Sequence, residues 1–388
     1  MKRIFLCLLC FLFCFSACSK STFEENPDSA YISEEKSYEK TDGETFAGVW
    51  VTYLSLSVKG KNYTEESYRE YIRNMFSCFC EKGITDVFVH VRPFADALYD
   101  SALFEQSEYA SGERGKKADF DILSVCCDEG KKQGLKIHAW INPYRVSADA
   151  RENYLTDGIL RNWYEKGDNT ICEVSGGLYL NPASEKVQKL IVDGIREILG
   201  GYDVDGIHFD DYFYPPSCGD FDKGEYEEYR RNGGKLSLDF FRRENVSNLL
   251  SLSYSAVKSF GEDKTFSVSP SGDVSRNYNE IYADVSLWCK GGYCDMIIPQ
   301  LYYGFLNESK PFSDVLSQWL TMTENSKVRL VIGLALYKVG EKDEFAGKGE
   351  NEWKENGDII ERQRDLCMSK GCYGVSYYSS DYLQNINF

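Results

Sequence analysis

Two neighbouring acidic residues, Asp210 and Asp211, are the strongest candidates for chemistry in this sequence. They follow a short β-type run and precede several aromatic residues, within the stretch Gly206–Pro215. Burying two carboxylates is costly unless they are paired or used. One explanation is a structural ion pair with Arg92 or Arg145. The other is acid–base catalysis, because two carboxyls in different environments can titrate far apart. We favour the catalytic explanation.

Polar and aromatic side chains recur near the ends of the other apolar runs. The three histidines of the chain lie on three successive runs, each on the same predicted face as other polar residues. One histidine in such a position would be typical of a core residue, whereas three in succession indicate a site. Residues that alternate along a barrel strand point inward. On this basis the predicted substrate-binding residues are His90, Arg92, His138, Trp140, Asn142, His208, Gln300, Tyr302 and Tyr337.

These side chains need a scaffold that brings strand ends together. From residue 46 onward, β-rich runs alternate with amphipathic helical stretches. The predicted strands are Gly48–Tyr53, Asp86–Arg92, Lys136–Asn142, Gly206–Tyr212, Thr265–Pro270, Met296–Tyr303, Arg329–Tyr337 and Gly374–Ser379. The predicted helices are Thr64–Glu81, Asp119–Lys132, Ser184–Leu199, Leu238–Ser259, Glu280–Cys289, Pro311–Thr323 and Asp358–Ser369. Strands that alternate with helices indicate parallel βαβ units, and eight such strands close a barrel.

We therefore predict an α/β fold, a (β/α)8 TIM barrel formed as a single domain by residues 46–388. A doubly wound open sheet is the competing fold, but no GxGxxG motif follows the first strand. Because only residues 380–388 follow the eighth strand, we expect the eighth helix to be short or absent. Thr64 and Ser184 stand at predicted helix N-caps. The active site of such a barrel lies at the C-terminal ends of its strands.

The position of the acids decides between mechanisms. Most glycosidases use two carboxylates from different strands. Here the predicted fifth, sixth and seventh strands end without an acid, and Asp96 and Asp273 are the only other loop carboxylates nearby. Adjacent acids instead suit substrate-assisted hydrolysis, in which the 2-acetamido oxygen of a sugar is the nucleophile. In that scheme we expect Asp210 to orient the amide and Asp211 to protonate the leaving oxygen.

Two alternatives follow from the same residues. His90, His138, His208 and Asp210 are suitable ligands for zinc or iron, but no compact HxH or HExxH spacing supports a metal site, and we expect no metal and no cofactor. The second alternative is a non-catalytic glycan-binding surface lipoprotein. Such a protein would keep aromatic residues such as Trp140, Tyr212, Tyr214 and Tyr302 without needing the acid pair.

The beginning of the chain has the pattern of an export signal. Lys2 and Arg3 precede an apolar run that is too short to span a membrane as a mature helix. We predict a lipoprotein signal peptide over residues 1–17, lipidation of Cys18, and a flexible tether over residues 18–45. The protein would then be exported and lipid-anchored to the cell membrane or the outer membrane. The net charge of −17 and the pI near 4.8 argue against nucleic-acid binding.

Cysteines are numerous, but their spacing does not indicate a structural framework. Of the 14 cysteines, ten lie after Cys18, and none of these forms a CxxC pair with zinc-site spacing. A domain of this size does not need disulfides to fold, and most of the cysteines are expected to be small buried apolar residues. Local disulfides remain open for Cys289–Cys294 and Cys367–Cys372.

The motifs together resemble glycosyl-hydrolase-like family ten, the YngK-like barrel proteins. The resemblance runs in order over about residues 46–380. The stretches that carry it are Gly48–Thr52, Val89–Tyr99, His138–Arg145, Leu178–Pro182, Asp205–Tyr212, Pro299–Tyr302 and Gly333–Lys338. One departure is Ala95, where the family pattern leads us to expect glycine; the change restricts the backbone slightly.

The resemblance implies a (β/α)8 fold and glycan hydrolysis. The family includes enzymes that act on bacterial cell-wall glycan, notably peptidoglycan strands stripped of their stem peptides. It adds Asp96, Tyr144, Arg145 and Tyr212 to the expected substrate-binding residues. A polysaccharide of this kind carries the 2-acetamido groups that substrate assistance requires. Its lactyl carboxylates would meet Arg92, Arg145 and Lys338.

Overall fold

Eight parallel strands pair in a closed ring in the computed structural model of the chain, which describes residues 46–149, 154–156, 158–167 and 169–385. In barrel order these strands are β1 Phe46–Val51, β2 Asp86–Arg92, β3 Lys136–Ile141, β7 Gly206–Phe209, β8 Thr265–Val268, β9 Met296–Ile297, β10 Arg329–Ala335 and β11 Gly374–Tyr378. The ring closes where β11 pairs with β1. All eight predicted strands are present, and the (β/α)8 prediction is confirmed.

Helices surround this ring. Their bounds are α1 Tyr53–Leu56, α2 Glu65–Glu81, α3 Glu108–Ser111, α4 Ile122–Gln133, α5 Gly158–Lys166, α6 Glu185–Gly201, α7 Lys223–Arg231, α8 Leu238–Lys258, α9 Val274–Asn279, α10 Val285–Gly291, α11 Phe312–Thr323, α12 Glu352–Glu355 and α13 Ile359–Ser369. Three 3₁₀ helices cover Leu336–Lys338, Gly347–Gly349 and Ser380–Asn385. Within the described residues, the last of these is the only helix after β11, in agreement with a short eighth helix.

The predicted helix Glu280–Cys289 is wrong in its bounds. The structure has two short helices in this region, α9 and α10, with a break between them. Tyr282 adopts a φ of 56°, a left-handed conformation that no helix can continue through. Asp284 then starts α10, because its side chain accepts a hydrogen bond from Leu287 N at 3.0 Å.

The two predicted N-caps differ in how they work. Thr64 Oγ1 accepts a hydrogen bond from Ser67 N at 3.2 Å, and Ser67 Oγ accepts one from Thr64 N at 3.0 Å. This reciprocal pair is a capping box in which serine takes the usual place of glutamate. Ser184 occupies the N-cap position of α6, but its side chain makes no capping hydrogen bond.

A small antiparallel sheet inserted after β3 was not predicted. Its strands β4 Arg145–Ser147, β6 Gly177–Leu180 and β5 Ile171–Val174 pair in that order. Strands of three or four residues are too short to show a period of two. The sheet matters because β4 begins just beyond the C-terminal end of β3 and holds Arg145 there.

The barrel interior is filled by an aromatic cluster, separate from the larger core between strands and helices. Its buried members are Phe46, Trp50, Phe88, Trp140, Met296, Ile298 and Val331. Trp50 and Trp140 lie at the upper edge of this cluster, so the floor of any cavity at the barrel mouth is aromatic.

Two sets of predictions concern cysteines and the N-terminus. All ten cysteines of the described residues are free thiols, and Cys367 and Cys372 are joined by a thiol hydrogen bond and not by a disulfide. The signal peptide, Cys18 and the tether lie outside the described residues. Among the helices that are described, none combines the length and apolar character needed to cross a membrane.

Candidate active site

The carboxylate pair stands directly at the C-terminal end of β7, where the ladder stops at Phe209. Asp210 is only 4% exposed. Its Oδ1 accepts a hydrogen bond from Tyr212 N at 3.1 Å, and its Oδ2 accepts one from Trp140 Nε1 at 3.3 Å. Burial, reinforced by the charge of Asp211, raises the pKa of Asp210 well above its usual range, although both hydrogen bonds and Arg145 oppose the shift.

Asp211 lies nearer the solvent, with a side chain that is 19% exposed. Its Oδ2 is 3.6 Å from Arg276 Nη1. Burial raises the pKa of Asp211, whereas Arg276 and a hydrogen bond from Gln300 lower it. The structural alternative, in which Arg92 or Arg145 forms an ion pair with one acid, is not what the structure shows: the ion-pair partner among the described residues is Arg276.

The unequal environments have a chemical consequence. Two neighbouring carboxyls with raised pKa values share protons, and their titration belongs to the pair. Asp210 is the more deeply buried, whereas Asp211 has Arg276 3.6 Å from its Oδ2, so the surroundings favour the proton on Asp210 and the negative charge on Asp211. One acid is then a proton donor and its neighbour an anion, the combination that acid–base catalysis requires.

A cavity of about 560 Å³ opens above the pair. Seven of the residues predicted for the site line it, namely Trp140, Asp210, Asp211, Tyr212, Gln300, Tyr302 and Tyr337. They come from β3 and from the ends of β7, β9 and β10, so distant parts of the chain meet at the barrel mouth. Aromatic and polar residues in similar number line the cavity, a combination that suits a ligand with both flat apolar faces and hydroxyl groups.

His90 and Asn142 support this wall from behind. The His90 ring stacks on Trp140, with centroids 3.6 Å apart and planes 7° apart. His90 Nε2 donates to Asn142 Oδ1 at 3.1 Å, and Asn142 Nδ2 donates to Pro93 O at 3.0 Å. Burial lowers the pKa of His90 to about 3, so the ring is neutral. Neither residue lines the cavity; both position Trp140, whose indole N–H holds Asp210.

The other two histidines are further from the cavity than predicted. His208 Nε2 accepts a hydrogen bond from Trp50 Nε1 at 3.0 Å, and its Nδ1 lies 2.8 Å from Ser267 Oγ. His138 Nε2 lies 2.8 Å from Asp86 Oδ1, near the N-terminal ends of the strands. The prediction that they contact substrate is corrected: both are core residues, and His208 acts by positioning Trp50.

The metal-site alternative depended on these histidines coming together. His90 and His208 are level with each other on either side of Trp140, whereas His138 lies two residues nearer the N-terminal ends of the strands. One nitrogen of each ring is already engaged, by Asn142, Trp50 and Asp86 respectively for His90, His208 and His138. Within the described part of the chain, no group of three or more His, Cys, Asp or Glu side chains is arranged to hold a metal ion.

Arg92 faces away from the barrel interior because β2 is irregular. His90 is opposite Trp140, but Arg92 is opposite Ile141, so β2 has one extra residue at a bulge. A bulge reverses the inward and outward alternation of the side chains that follow it. The Arg92 guanidinium therefore packs on Phe104, 4.4 Å from the ring centroid, between the barrel and its helices. Its predicted contact with substrate is corrected.

Asp96 and Tyr144 also lie in the protein interior, outside the cavity lining. Asp96 is buried, its Oδ1 accepts a hydrogen bond from Phe94 N at 3.0 Å, and its Oδ2 lies 3.7 Å from Arg114. Tyr144 is completely buried in the large core. Neither lines the cavity, so both expectations of direct substrate contact are corrected.

Arg145 reaches the site indirectly. Its guanidinium lies 4.4 Å from the ring centroid of Tyr212 and 4.9 Å from that of Phe94. It lowers the pKa of both Asp210 and Asp211. Tyr212, 38% exposed, thus stands between the cation and the cavity. Arg145 stabilises negative charge on the acid pair without lining the cavity itself.

Eight residues of the cavity wall were not among the predicted site residues, namely Trp50, Thr52, Leu54, Ser269, Tyr378, Ser379, Asp381 and Tyr382. Asp381 is a third carboxylate, which accepts hydrogen bonds from Ser55 Oγ at 2.9 and 3.1 Å. It follows β11, on the side of the barrel opposite β7. The expectation that Asp96 and Asp273 are the only other nearby loop carboxylates is therefore wrong. The sequence already indicated Asp381 as a candidate, because it comes just after the predicted strand Gly374–Ser379.

Comparisons with known proteins agree with this geometry. The family model described as glycosyl hydrolase-like 10 matches residues 45–354. Glycosyl hydrolase DigH of Escherichia coli strain K12 is 32% identical over 326 residues, which cover 78% of this chain and 73% of DigH. Glycosyl hydrolase YngK of Bacillus subtilis strain 168 is 31% identical over 309 residues, which cover 75% of this chain and 58% of YngK.

Solved structures support the fold. The PgaB (BpsB) glycoside hydrolase domain from Bordetella bronchiseptica superposes with a TM-score of 0.57 at 10% sequence identity, over 88% of this chain and 96% of that domain. At that identity the likeness concerns the barrel alone. The family model, in contrast, spans most of the barrel, including β7 and its acid pair. The chain belongs to the glycosyl hydrolase-like 10 family.

Proposed function

We propose that this protein is a glycoside hydrolase that cleaves N-acetylated glycan of the bacterial cell wall, including peptidoglycan strands stripped of their stem peptides. The observation that carries the proposal is the buried Asp210–Asp211 pair at the floor of an aromatic cavity. Burying two adjacent carboxylates is costly, and carboxyls whose pKa values are raised by burial suit acid–base catalysis. Family membership and the relatives named glycosyl hydrolase support the reaction class.

Substrate-assisted hydrolysis is the mechanism that we propose for this site. The 2-acetamido oxygen of the bound sugar attacks its own anomeric carbon while a carboxylic acid protonates the leaving oxygen. The ionised carboxylate accepts a hydrogen bond from the acetamide N–H and stabilises the positive charge that develops on it. Water then opens the cyclic intermediate. The aromatic walls hold the sugar rings and limit the access of other water molecules.

The different surroundings of the two acids favour an exchange of the roles expected from sequence alone. Asp210 is the better candidate to retain the proton, because it is the more deeply buried acid and burial disfavours its charged form. Asp211 has Arg276 near its Oδ2 and is the more readily ionised of the two. We therefore assign proton donation to Asp210 and orientation of the acetamide to Asp211.

The test of the function uses purified protein with two polymers, denuded peptidoglycan glycan and a polysaccharide without acetamido groups. Mass analysis of the products should show new reducing ends from the first polymer and none from the second. Anhydro ends would indicate a lyase-type reaction and overturn the hydrolase proposal. Equal cleavage of both polymers would overturn substrate assistance, but the protein would still be a glycosidase.

A further inference from the structure

A second cavity, which we call the side cavity, adjoins the candidate active site. It has a volume of about 380 Å³ and shares Gln300 and Tyr302 with the wall of the first. A ligand that occupies the active-site cavity and extends past these two residues enters the side cavity. Its distinctive lining residues are Arg276, Lys310, Lys338 and Phe345.

Three cationic side chains, Arg276, Lys310 and Lys338, line the side cavity together with one carboxylate, that of Asp343. Lys310 is paired with Asp273, and Lys338 Nζ lies 2.8 Å from Asp343. Arg276 is less fully engaged, because its carboxylate contacts, to Asp211 and Glu280, are 3.6 and 3.7 Å long. A charge-assisted hydrogen bond to a carboxylate is about 2.7–2.9 Å long. Much of its donor capacity thus remains for a ligand.

Phe345 adds an apolar platform at the rim of this cavity. Its side chain is 90% exposed, more than any other large hydrophobic residue of the described chain. Single exposed hydrophobic residues are common on proteins, but this one lies on an ordered turn. Asp343 Oδ1 accepts a hydrogen bond from Phe345 N at 3.3 Å, and Asp343 O accepts one from Ala346 N at 3.0 Å. Asp343 Oδ2 also accepts a hydrogen bond from Lys338 Nζ. The same residue therefore fixes both the turn that carries Phe345 and the position of Lys338.

We infer that the side cavity is a subsite for an acidic sugar, a pyranose that bears a free carboxylate, in the strand being cleaved. Arg276 and Lys310 hold the carboxylate, and Phe345 stacks on the apolar face of a sugar ring. The inference rests on the proposed function, because it takes the ligand to be continuous with the glycan in the active-site cavity. It goes beyond the proposed function because it names the side cavity as the part of the site that selects acidic strands.

The test compares two oligosaccharides of equal length, one of N-acetylglucosamine alone and one in which alternate units carry a lactyl carboxylate. Lys310→Met should lower kcat/KM for the acidic oligomer about tenfold, as expected for a lost hydrogen bond to a charged group. It should change kcat/KM for the neutral oligomer less than about twofold. Phe345→Ala should lower kcat/KM for both oligomers about fivefold, since stacking needs no charge.

Lys342→Met is the matched control, because Lys342 is on the same loop but pairs with Glu350 at 3.0 Å outside the cavity lining. It should leave both oligomers unaffected. Calorimetric binding of the acidic oligomer to Asp210→Asn protein, with and without Lys310→Met, gives a readout that needs no turnover. Equal effects of Lys310→Met on both oligomers, or unchanged affinity in the binding experiment, would overturn the subsite. Wild-type protein that cleaves neither oligomer would instead overturn the proposed function, and the binding result would still decide the subsite.

Discussion

At the scale of single residues, the acid pair obtains its reactivity from unequal surroundings. Asp210 has low exposure, two hydrogen bonds and an anionic neighbour, whereas Asp211 is closer to solvent and to Arg276. Chain adjacency places both groups just after the end of β7, and their environments differ because Trp140 contacts Asp210 whereas Arg276 lies beside Asp211. The pair can therefore hold one proton over the pH range in which either acid alone would be ionised.

Replacing each acid should separate the two roles. Asp210→Asn should reduce kcat on natural glycan by about 10²–10⁴-fold, the range for loss of a general acid. The same variant should lose much less activity on an aryl glycoside with a good leaving group, which needs no protonation. Asp211→Asn should be impaired on both substrates. The measurement is kcat of both variants on the polymer and on the aryl substrate. If Asp211→Asn, and not Asp210→Asn, keeps its activity on the aryl substrate, Asp211 is the proton donor.

The pH profile should report the pair. Activity requires one proton on the two acids, so kcat/KM should fall at high pH as that proton leaves and at low pH as a second one binds. Both limbs should lie above the ordinary carboxyl range near pKa 4, because burial raises both pKa values. Arg276→Gln should move the acidic limb to higher pH, since Arg276 favours the ionised form of Asp211. An unmoved acidic limb would contradict this pairing.

Asp381 provides a separate check on the mechanism. If the substrate supplies its own nucleophile, Asp381→Asn should lower kcat by less than about tenfold, because no second protein carboxylate has to attack or activate water in the first step. Ser55→Ala, which removes the hydrogen-bond donor to Asp381, is the matched control for local packing. A loss on the order of 10³-fold in Asp381→Asn alone would replace substrate assistance with a two-carboxylate scheme.

At the scale of elements, the loop after β2 determines which side chains reach the mouth. The bulge between His90 and Arg92 turns Arg92 outward, and the buried Asp96 then ties the loop through Phe94 N. Ala95 adopts a φ of 50° in this loop, in the left-handed region that favours glycine. The position at which the family pattern leads us to expect glycine is thus the one that needs a positive φ.

Ala95→Gly should be nearly neutral for stability, within about 1 kcal/mol of the wild type. Relief of the left-handed strain, about 1–2 kcal/mol, is offset by the lost burial of a methyl group and the greater freedom of the unfolded chain, each worth about 1 kcal/mol or less. Ala95→Val, with a β-branched side chain at the same φ, should instead destabilise by more than about 2 kcal/mol. Urea denaturation of both variants tests this, and equal stability of all three proteins would contradict it.

At the scale of the whole molecule, the expected location outside the cell suits a cell-wall substrate. Lipidation of Cys18 remains a prediction, since residues 1–45 lie outside the described structure. A tether of the length of residues 18–45 would let the barrel mouth reach glycan away from the membrane surface.

Cys18→Ser should release the protein from the membrane fraction. Without the thiol no lipid can be attached through this side chain, so the acyl chains that would hold the protein in the membrane are lost. Detergent phase partition of cell extracts, with mass analysis of the N-terminal peptide, measures the change. Cys80→Ser, at an exposed cysteine of α2, is the control and should keep the wild-type partition.

The eight-strand count of the barrel, its alternation of strands with helices, and the position of the acid pair were contained in the sequence, whereas the small sheet after β3 was not. Local patterning accounts for this, because apolar runs of period two and amphipathic helices are formed by residues close in the chain. Asp210 and Asp211 are covalent neighbours, so no folding step was needed to bring them together. The motifs from Gly48 to Lys338 also identified the family without the structure.

Only the tertiary structure decided which other side chains join that pair. The bulge in β2 reversed Arg92, and hydrogen bonds within the barrel kept His138 and His208 in the core. Closure of the ring brought Asp381 and Tyr378 to the cavity from the opposite side. The physical reason is the same in each case: side-chain direction and long-range proximity depend on strand register and barrel closure, which no local pattern of residues specifies.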